Sequence, residues 1–77
     1  MNEVYEKDYQ RLEQVLKEQN LNYDFDSIRK AYECCVEAHK GQQRFTQEEY
    51  YIHPLSVAII LARMGMDSEC IEAALLH

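Results

Sequence analysis

The first candidates for chemistry in this chain are its three histidines. His53 stands directly before a proline, and His77 is the last residue of the sequence. A helix, a turn and a second helix between them could bring the two imidazoles together, because antiparallel neighbours place the start of one helix near the end of the next. Two imidazoles can share a metal ion, but catalytic sites usually have three protein ligands and a water. The spacing alone therefore leaves open both a shared metal ion and two unrelated histidines.

The third histidine, His39, lies on the apolar face of a predicted helix. A lone histidine in such a position is usually packed in the core and bonded to a backbone group, and we interpret His39 in that way.

Residues 42–52, QQRFTQEEYYI, form the second candidate region, which we predict to be a loop or a short hairpin. Arg44 carries a guanidinium that suits phosphate oxygens and the face of a nucleotide base. Thr46 can hydrogen-bond a phosphate or a sugar. The alternative is a solvated surface loop with its tyrosines in the core. Glu48 and Glu49 weaken the phosphate interpretation, because carboxylates repel an anion.

The hydrophobic periodicity predicts an all-α chain of four helices that would position these groups. Asp26 and Asp67 are predicted N-caps, His53 is expected at or near a third N-cap, and Gly41 is a predicted C-cap glycine. The third helix is apolar around most of its circumference and should be buried on more than one side. The predicted helices span residues 4–19, 27–40, 54–65 and 68–77.

Length and composition limit the functional classes. A chain of 77 residues forms at most one small domain, and 47% hydrophobic residues indicate a globular one. Eight basic against fourteen acidic residues give a net charge of −6, which disfavours a broad nucleic-acid or anionic-membrane surface but permits a local anion site. The charged N-terminus, the lack of a long apolar run and three cysteines expected to be reduced predict a cytoplasmic protein.

The last residues, Ala73–His77, carry no helix stop signal. We therefore expect the chain to be a fragment whose fourth helix is cut at or near its end. This leaves open a non-catalytic helical module that forms a homo-oligomer through its exposed apolar helices.

Residues 38–77 form a continuous pattern of motifs: AHKGQQR at 38–44, YYIHPL at 50–55 and AALLH at 73–77. This pattern resembles the opening of the HD hydrolase domain of the RelA/SpoT family, the enzymes that make and degrade the alarmone (p)ppGpp in the stringent response. The resemblance covers about two-thirds of the chain. It implies that residues 1–77 are the N-terminal helices of an HD-domain helical bundle, without a second domain.

The resemblance also implies functional roles. The family removes pyrophosphate from the ribose 3′ position of (p)ppGpp with a manganese ion, and His53 and His77 match two of its metal ligands. The Asp that follows the second histidine in the family, a later Asp ligand and a Glu-Asp pair are not in this sequence. We therefore expect the chain alone to be inactive. Arg44 matches the residue that stacks on guanine, and Thr46 matches a Ser at the nucleotide.

Three departures from the family pattern lie in the loop: Phe45 replaces a common Lys, Gln47 a Gly and Glu49 a Pro. They put individual nucleotide contacts in doubt rather than the fold. A phosphohydrolase of the wider HD superfamily that acts on another nucleotide is a further alternative, which the loop motif disfavours.

Overall fold

The computed structural model describes residues 2–42 and 49–77, and within these ranges it is all-α, as predicted. Its four helices are α1 (Glu3–Gln19), α2 (Phe25–His39), α3 (Ile52–Arg63) and α4 (Ser68–Leu76). α3 packs against α1 and α4, and α2 packs against α4 and, less extensively, α1. The helices thus form a ring in the order α1, α3, α4, α2, with the core inside it.

Three of the four helices, α1, α2 and α4, begin at a residue whose side chain caps the first turn, and two of the predicted starts need correction. Asp67 caps α4 as predicted, with its carboxylate 2.9 Å from the backbone N of Cys70. The cap of α2 is Asp24 rather than Asp26, because the Asp24 carboxylate accepts both the backbone N–H and the hydroxyl of Ser27. Asp26 instead lies in the first turn, where a negative charge is favourable beside the helix N-terminus.

The third helix begins at Ile52, two residues earlier than predicted, and its N-cap is Tyr51 rather than His53. Pro54 is still in the first turn, where the missing N–H of a proline has no intrahelical partner to lose. Gly41, one residue beyond the cap of α2, has φ +81°, which a glycine adopts without steric cost.

The core is apolar and continuous across all four helices. α3 is buried on one face, whose residues recur at i, i+3, i+4 and i+7: Leu55, Ala58, Ile59 and Ala62. That face meets both α1 and α4, while Ile60 stays exposed, so the predicted burial of α3 on more than one side is not what the structure shows. Each helix supplies fully buried side chains, the largest of which are Leu12 and Leu16 from α1, Ile28, Tyr32 and Val36 from α2, Leu55 from α3, and Ile71 and Leu75 from α4.

Buried tyrosines join α1 to α2 and to the start of α3. The Tyr9 and Tyr32 rings lie 5.2 Å apart, and the Tyr32 hydroxyl donates to the backbone carbonyl of Tyr5 at 2.7 Å. Arg29 places its guanidinium 4.8 Å from the centre of the Tyr9 ring and also bonds to the carboxylate of Glu6. The ring contact, the hydrogen bond and the guanidinium contact therefore all connect α1 to α2.

Candidate functional site

A cavity of about 680 Å³ opens where the end of α2, the start of α3 and the face of α4 meet. All three histidines of the chain line it. Its volume lies within the range of small-molecule sites, and its wall combines apolar side chains with a few polar groups, as such sites usually do. The lining residues are His39, Tyr50, His53, Pro54, Val57, Leu61, Cys70, Ala73, Ala74 and His77.

The helical hairpin of α3 and α4 brings His53 and His77 to this cavity. His53 is the second residue of α3, and His77 follows the last residue of α4, so the turn between the helices folds the start of one beside the end of the other. Both side chains are exposed. The turn contains Gly65 with φ +74°, a left-handed conformation that allows the chain to reverse directly after α3.

His39 differs from its sequence interpretation. It is half-buried at the end of α2, and its Nδ1 atom is buried without a hydrogen-bond partner in the described part of the chain. Instead of bonding to the backbone through that atom, the imidazole stacks on the Tyr50 ring, with centroids 5.9 Å apart and planes inclined by 23°. The pair joins the end of α2 to the segment before α3.

The predicted nucleotide-binding residues Arg44 and Thr46 lie outside the described residues, as do Phe45, Gln47 and Glu48. The structure does describe the residues on either side of this segment, up to Gln42 and from Glu49 onward. The backbone N of Tyr50 bonds to the carbonyl of Gln42 at 3.4 Å, and the backbone N of Gln42 bonds to the carbonyl of His39 at 3.0 Å. The two ends of the segment therefore meet beside the cavity, which Tyr50 lines.

Glu49 faces α1 through its carboxylate, which accepts a hydrogen bond from the Tyr5 hydroxyl at 3.0 Å. That bond raises the pKa of Tyr5, since ionisation would remove the donated proton. Among the described residues, no Asp or Glu lines the cavity. The carboxylates of the described residues thus lie outside the cavity lining, and the repulsion expected from Glu49 is not directed into the cavity.

Cys70 is a cavity residue that the sequence analysis did not single out, since the cysteines were considered only as reduced thiols. It is half-buried, whereas Cys34 is exposed and Cys35 is buried with its thiol pKa raised to about 11 by desolvation. The signal was present in the spacing: Cys70 and His77 are seven residues apart, which places them on one face of a helix.

The two exposed imidazoles, of His53 and His77, are groups of a type that can bind a metal ion. Within residues 2–42 and 49–77, no group of three or more His, Cys, Asp or Glu side chains is arranged to hold a metal ion. Neutral imidazole is a common ligand for first-row divalent metals, so His53 and His77 fit such an ion as two of its ligands. Further oxygen ligands are needed for a complete coordination sphere.

Comparison with known proteins adds independent evidence. A family model described as HD domain matches residues 31–77. A guanosine-3′,5′-bis(diphosphate) 3′-pyrophosphohydrolase of Aquifex aeolicus is 56% identical over 52 residues, which cover 68% of this chain and 8% of the relative. The protein of the same name from Vibrio cholerae is 41% identical over 69 residues, 90% of this chain and 10% of the relative.

A third relative, a bifunctional (p)ppGpp synthase/hydrolase RelA of Mycobacterium tuberculosis, is 44% identical over 54 residues, 70% of this chain and 7% of the relative. The chain thus spans about a tenth or less of the length of these relatives. No solved structure matches it significantly. None of the described helices has the length and apolar character needed to cross a membrane.

Proposed function

The chain belongs to the HD domain family, and from this premise we propose that it forms part of the active site of a (p)ppGpp 3′-pyrophosphohydrolase. The observation that carries the proposal is that His53 and His77 line one cavity at the α3–α4 hairpin. The names of the relatives supply the substrate class, since they are hydrolases of guanosine-3′,5′-bis(diphosphate) or bifunctional enzymes of (p)ppGpp.

We propose His53 and His77 as two ligands of a divalent cation, which the family resemblance identifies as manganese. Both side chains are exposed and line the same cavity, so they are accessible to an ion from solvent. When bound, such a cation polarises a phosphorus–oxygen bond and lowers the pKa of a coordinated water. The chain's own contribution is to hold the two imidazoles on a rigid helical hairpin.

The cavity also suits a nucleotide. Its apolar wall of Pro54, Val57 and Leu61 can cover a base or a ribose, and its described lining carries no carboxylate that would repel phosphates. We propose Arg44 and Thr46 as the nucleotide contacts, because the segment that carries them starts and ends beside the cavity, at Gln42 and Tyr50. An arginine stacked on guanine contributes on the order of 1–2 kcal/mol when desolvated.

We place this function in the cytoplasm. All three cysteines are free thiols in the structure, which is the usual state in a reducing compartment.

Paramagnetic nuclear magnetic resonance on the 77-residue chain tests the metal site. Mn²⁺ is expected to broaden the imidazole resonances of His53 and His77 at concentrations that leave those of α1 sharp. His53→Gln and His77→Gln should each weaken the broadening by about tenfold or more, because even the loss of a group that only orients a metal ligand costs about 10–100-fold in affinity. Cys34→Ser is the matched control for adventitious metal binding, because Cys34 is exposed and does not line the cavity. Broadening that survives both histidine variants would refute the assignment.

The substrate is tested by adding (p)ppGpp or ATP to the chain in the presence of Mg²⁺, a diamagnetic cation that leaves the resonances of the cavity residues sharp. Larger shifts of the Tyr50 and His39 resonances with (p)ppGpp support the alarmone assignment. Equal shifts with ATP favour a phosphohydrolase of the wider HD superfamily. We expect no release of pyrophosphate from the chain alone, because two histidines do not complete a catalytic metal site.

A second candidate, the helical module that associates with its own copies, rests on the exposed apolar side chains of α3 and α4. Ile60, Met64 and Leu76 are each more than half exposed. Apolar patches of this kind are usual at protein–protein contacts. Light scattering at high micromolar concentration would give a dimer mass if this face associates and a monomer mass if it does not.

A further inference from the structure

Two crossed hydrogen bonds connect α1 to the residues directly before α3. The Tyr5 hydroxyl of α1 donates to Glu49, and the Tyr51 hydroxyl donates back to Asp8 of α1. Each side therefore contributes one tyrosine and one carboxylate. The Tyr5 and Tyr51 rings meet edge to face with centroids 5.0 Å apart, and both residues are buried. We call these two hydrogen bonds, together with the four residues that form them, the crossed pair.

The crossed pair brackets a cavity residue. Tyr50 lies between Glu49 and Tyr51 in sequence, and its ring stacks on His39 and lines the cavity. The backbone carbonyls of Glu49 and Tyr50 accept the N–H groups of Ile52 and His53 at 3.2 and 3.3 Å. The segment that is fixed to α1 therefore also holds the first turn of α3, which carries His53.

The helix that supplies half of the crossed pair lies outside the family match. The HD domain match covers residues 31–77, whereas Tyr5 and Asp8 belong to α1. A buried tyrosine hydroxyl needs a hydrogen-bond partner, and Asp8 meets that need for Tyr51. The partner of the Tyr51 hydroxyl thus comes from a helix that precedes residues 31–77, which the HD domain model matches.

We propose that α1 positions the proposed site, and that Tyr5 and Asp8 act as positioning residues for Tyr50 and His53 without contacting a ligand themselves. The consequence of this positioning is that α1 sets the affinity of the cavity for metal and nucleotide. That consequence rests on the proposed function. The geometry has a simple physical reading: one hydrogen bond on each side of Tyr50, at Glu49 and at Tyr51, restricts the rotation of residues 49–51 relative to α1.

The experiment compares Tyr5→Phe, Tyr51→Phe and the double variant in the 77-residue chain. These changes remove one or both hydroxyls and keep the aromatic packing. The first readout, without any ligand, is the hydrogen-exchange rate of the Ile52 and His53 amides together with the ring resonances of His39. Each single variant should speed exchange at these amides by about tenfold relative to α4, the effect of losing one hydrogen bond to a charged group.

Tyr23→Phe is the matched control, since Tyr23 is also a buried tyrosine whose hydroxyl is bonded, at 2.7 Å, to the carbonyl of Met66 in the α3–α4 turn. It should leave the Ile52, His53 and His39 signals unchanged. If Tyr23→Phe moves them as much as Tyr51→Phe does, the effect is general destabilisation and the positioning role is overturned. Unchanged exchange in Tyr51→Phe overturns it as well.

The second readout is the Mn²⁺ titration of the same variants, in which Tyr51→Phe is expected to weaken binding by about threefold. If the wild type and Tyr51→Phe bind Mn²⁺ with the same affinity, the positioning role is refuted and the proposed function stands. A wild type that binds no Mn²⁺ at the cavity refutes the proposed function, while the exchange data still decide whether the crossed pair fixes the start of α3.

Discussion

The imidazole of His39 stacks on the phenol ring of Tyr50, with centroids 5.9 Å apart, at the point where the end of α2 approaches the start of α3. This contact closes one side of the cavity that also contains His53 and His77. It joins two segments that are separated in sequence by the loop of the candidate nucleotide contacts. The stack is therefore a direct probe of whether the cavity wall is formed in solution.

Tyr50→Ala should remove this stack, and Tyr50→Phe should keep it. Because Tyr50 is partly exposed, we expect the alanine variant to lose only about 0.5 kcal/mol of unfolding free energy, the lower end for an aromatic pair. The specific readout is the His39 ring resonance, which loses the ring-current shift in Tyr50→Ala and retains it in Tyr50→Phe. Identical His39 shifts in both variants would mean that the rings do not stack in solution.

Two adjacent leucines of α4 differ in burial, so substituting each one compares the stability contributed by a core position with that of a surface position. Leu75 is 1% exposed and Leu76 is 58% exposed. Leu75→Ala should cost about 2–5 kcal/mol of unfolding free energy, because it leaves a cavity in the core between the helices. Leu76→Ala should change the stability by less than about 0.5 kcal/mol. Urea unfolding of the two variants measures the difference, and equal costs would contradict the packing of α4.

The turn between α3 and α4 depends on the left-handed conformation of Gly65. An added Cβ would be 3.7 Å from the nearest Leu21 atom, which is an ordinary contact, so the cost of substitution comes from the backbone. Gly65→Ala should lose about 1–2 kcal/mol of unfolding free energy. Gly65→Asn should lose less, because asparagine tolerates this conformation better. Thermal unfolding compares the two, and an alanine variant as stable as wild type would exclude a left-handed residue here.

The buried tyrosines predict a loss of stability at alkaline pH. Burial raises the pKa of Tyr9 to about 12, and burial likewise raises the pKa of Tyr32 and of Tyr51, the latter also through its bond to Asp8. In the unfolded chain these phenols ionise near pH 10. Below that pH their contribution is fully present, and above it the unfolded state releases protons first, so the free energy of unfolding falls as pH rises.

Tyrosinate absorbance during a pH titration measures this effect, with the urea-unfolded chain as the reference. The folded chain should show phenols that resist ionisation until the protein unfolds. If all six tyrosines titrate together near pH 10 while the helical signal persists, the burial of Tyr9, Tyr32 and Tyr51 would be contradicted.

The helices and the family were predictable because they depend on local signals. Spacing of apolar residues located all four helices within a few residues, and Asp67 marked the start of α4 correctly. The cap of α2 was predicted two residues late, at Asp26, and the start of α3 two residues late, at Pro54. Acceptable cap residues and a first-turn proline occur at neighbouring positions, and only backbone geometry chooses between them.

The candidate site required tertiary contacts. The motif around His53 and His77 indicated metal chemistry, but only the packing of α3 on α4 brings both residues to one cavity. His39 was interpreted as a core residue and is instead a stacked cavity residue, since its partner Tyr50 is distant in sequence. The crossed pair was invisible for the same reason: hydrogen bonds between Tyr5 and Glu49 or Tyr51 and Asp8 carry no sequence periodicity.

Local patterning by itself thus determined the helix content, the apolar faces and the residue types available for chemistry. Tertiary structure decided which of those residues share a cavity and that α1 is fixed to its edge. The physical reason is the separation in sequence between the residues that interact. Helix formation depends on residues three and four apart, whereas a cavity is created by side chains from different helices whose mutual position is set by the packing of the whole core.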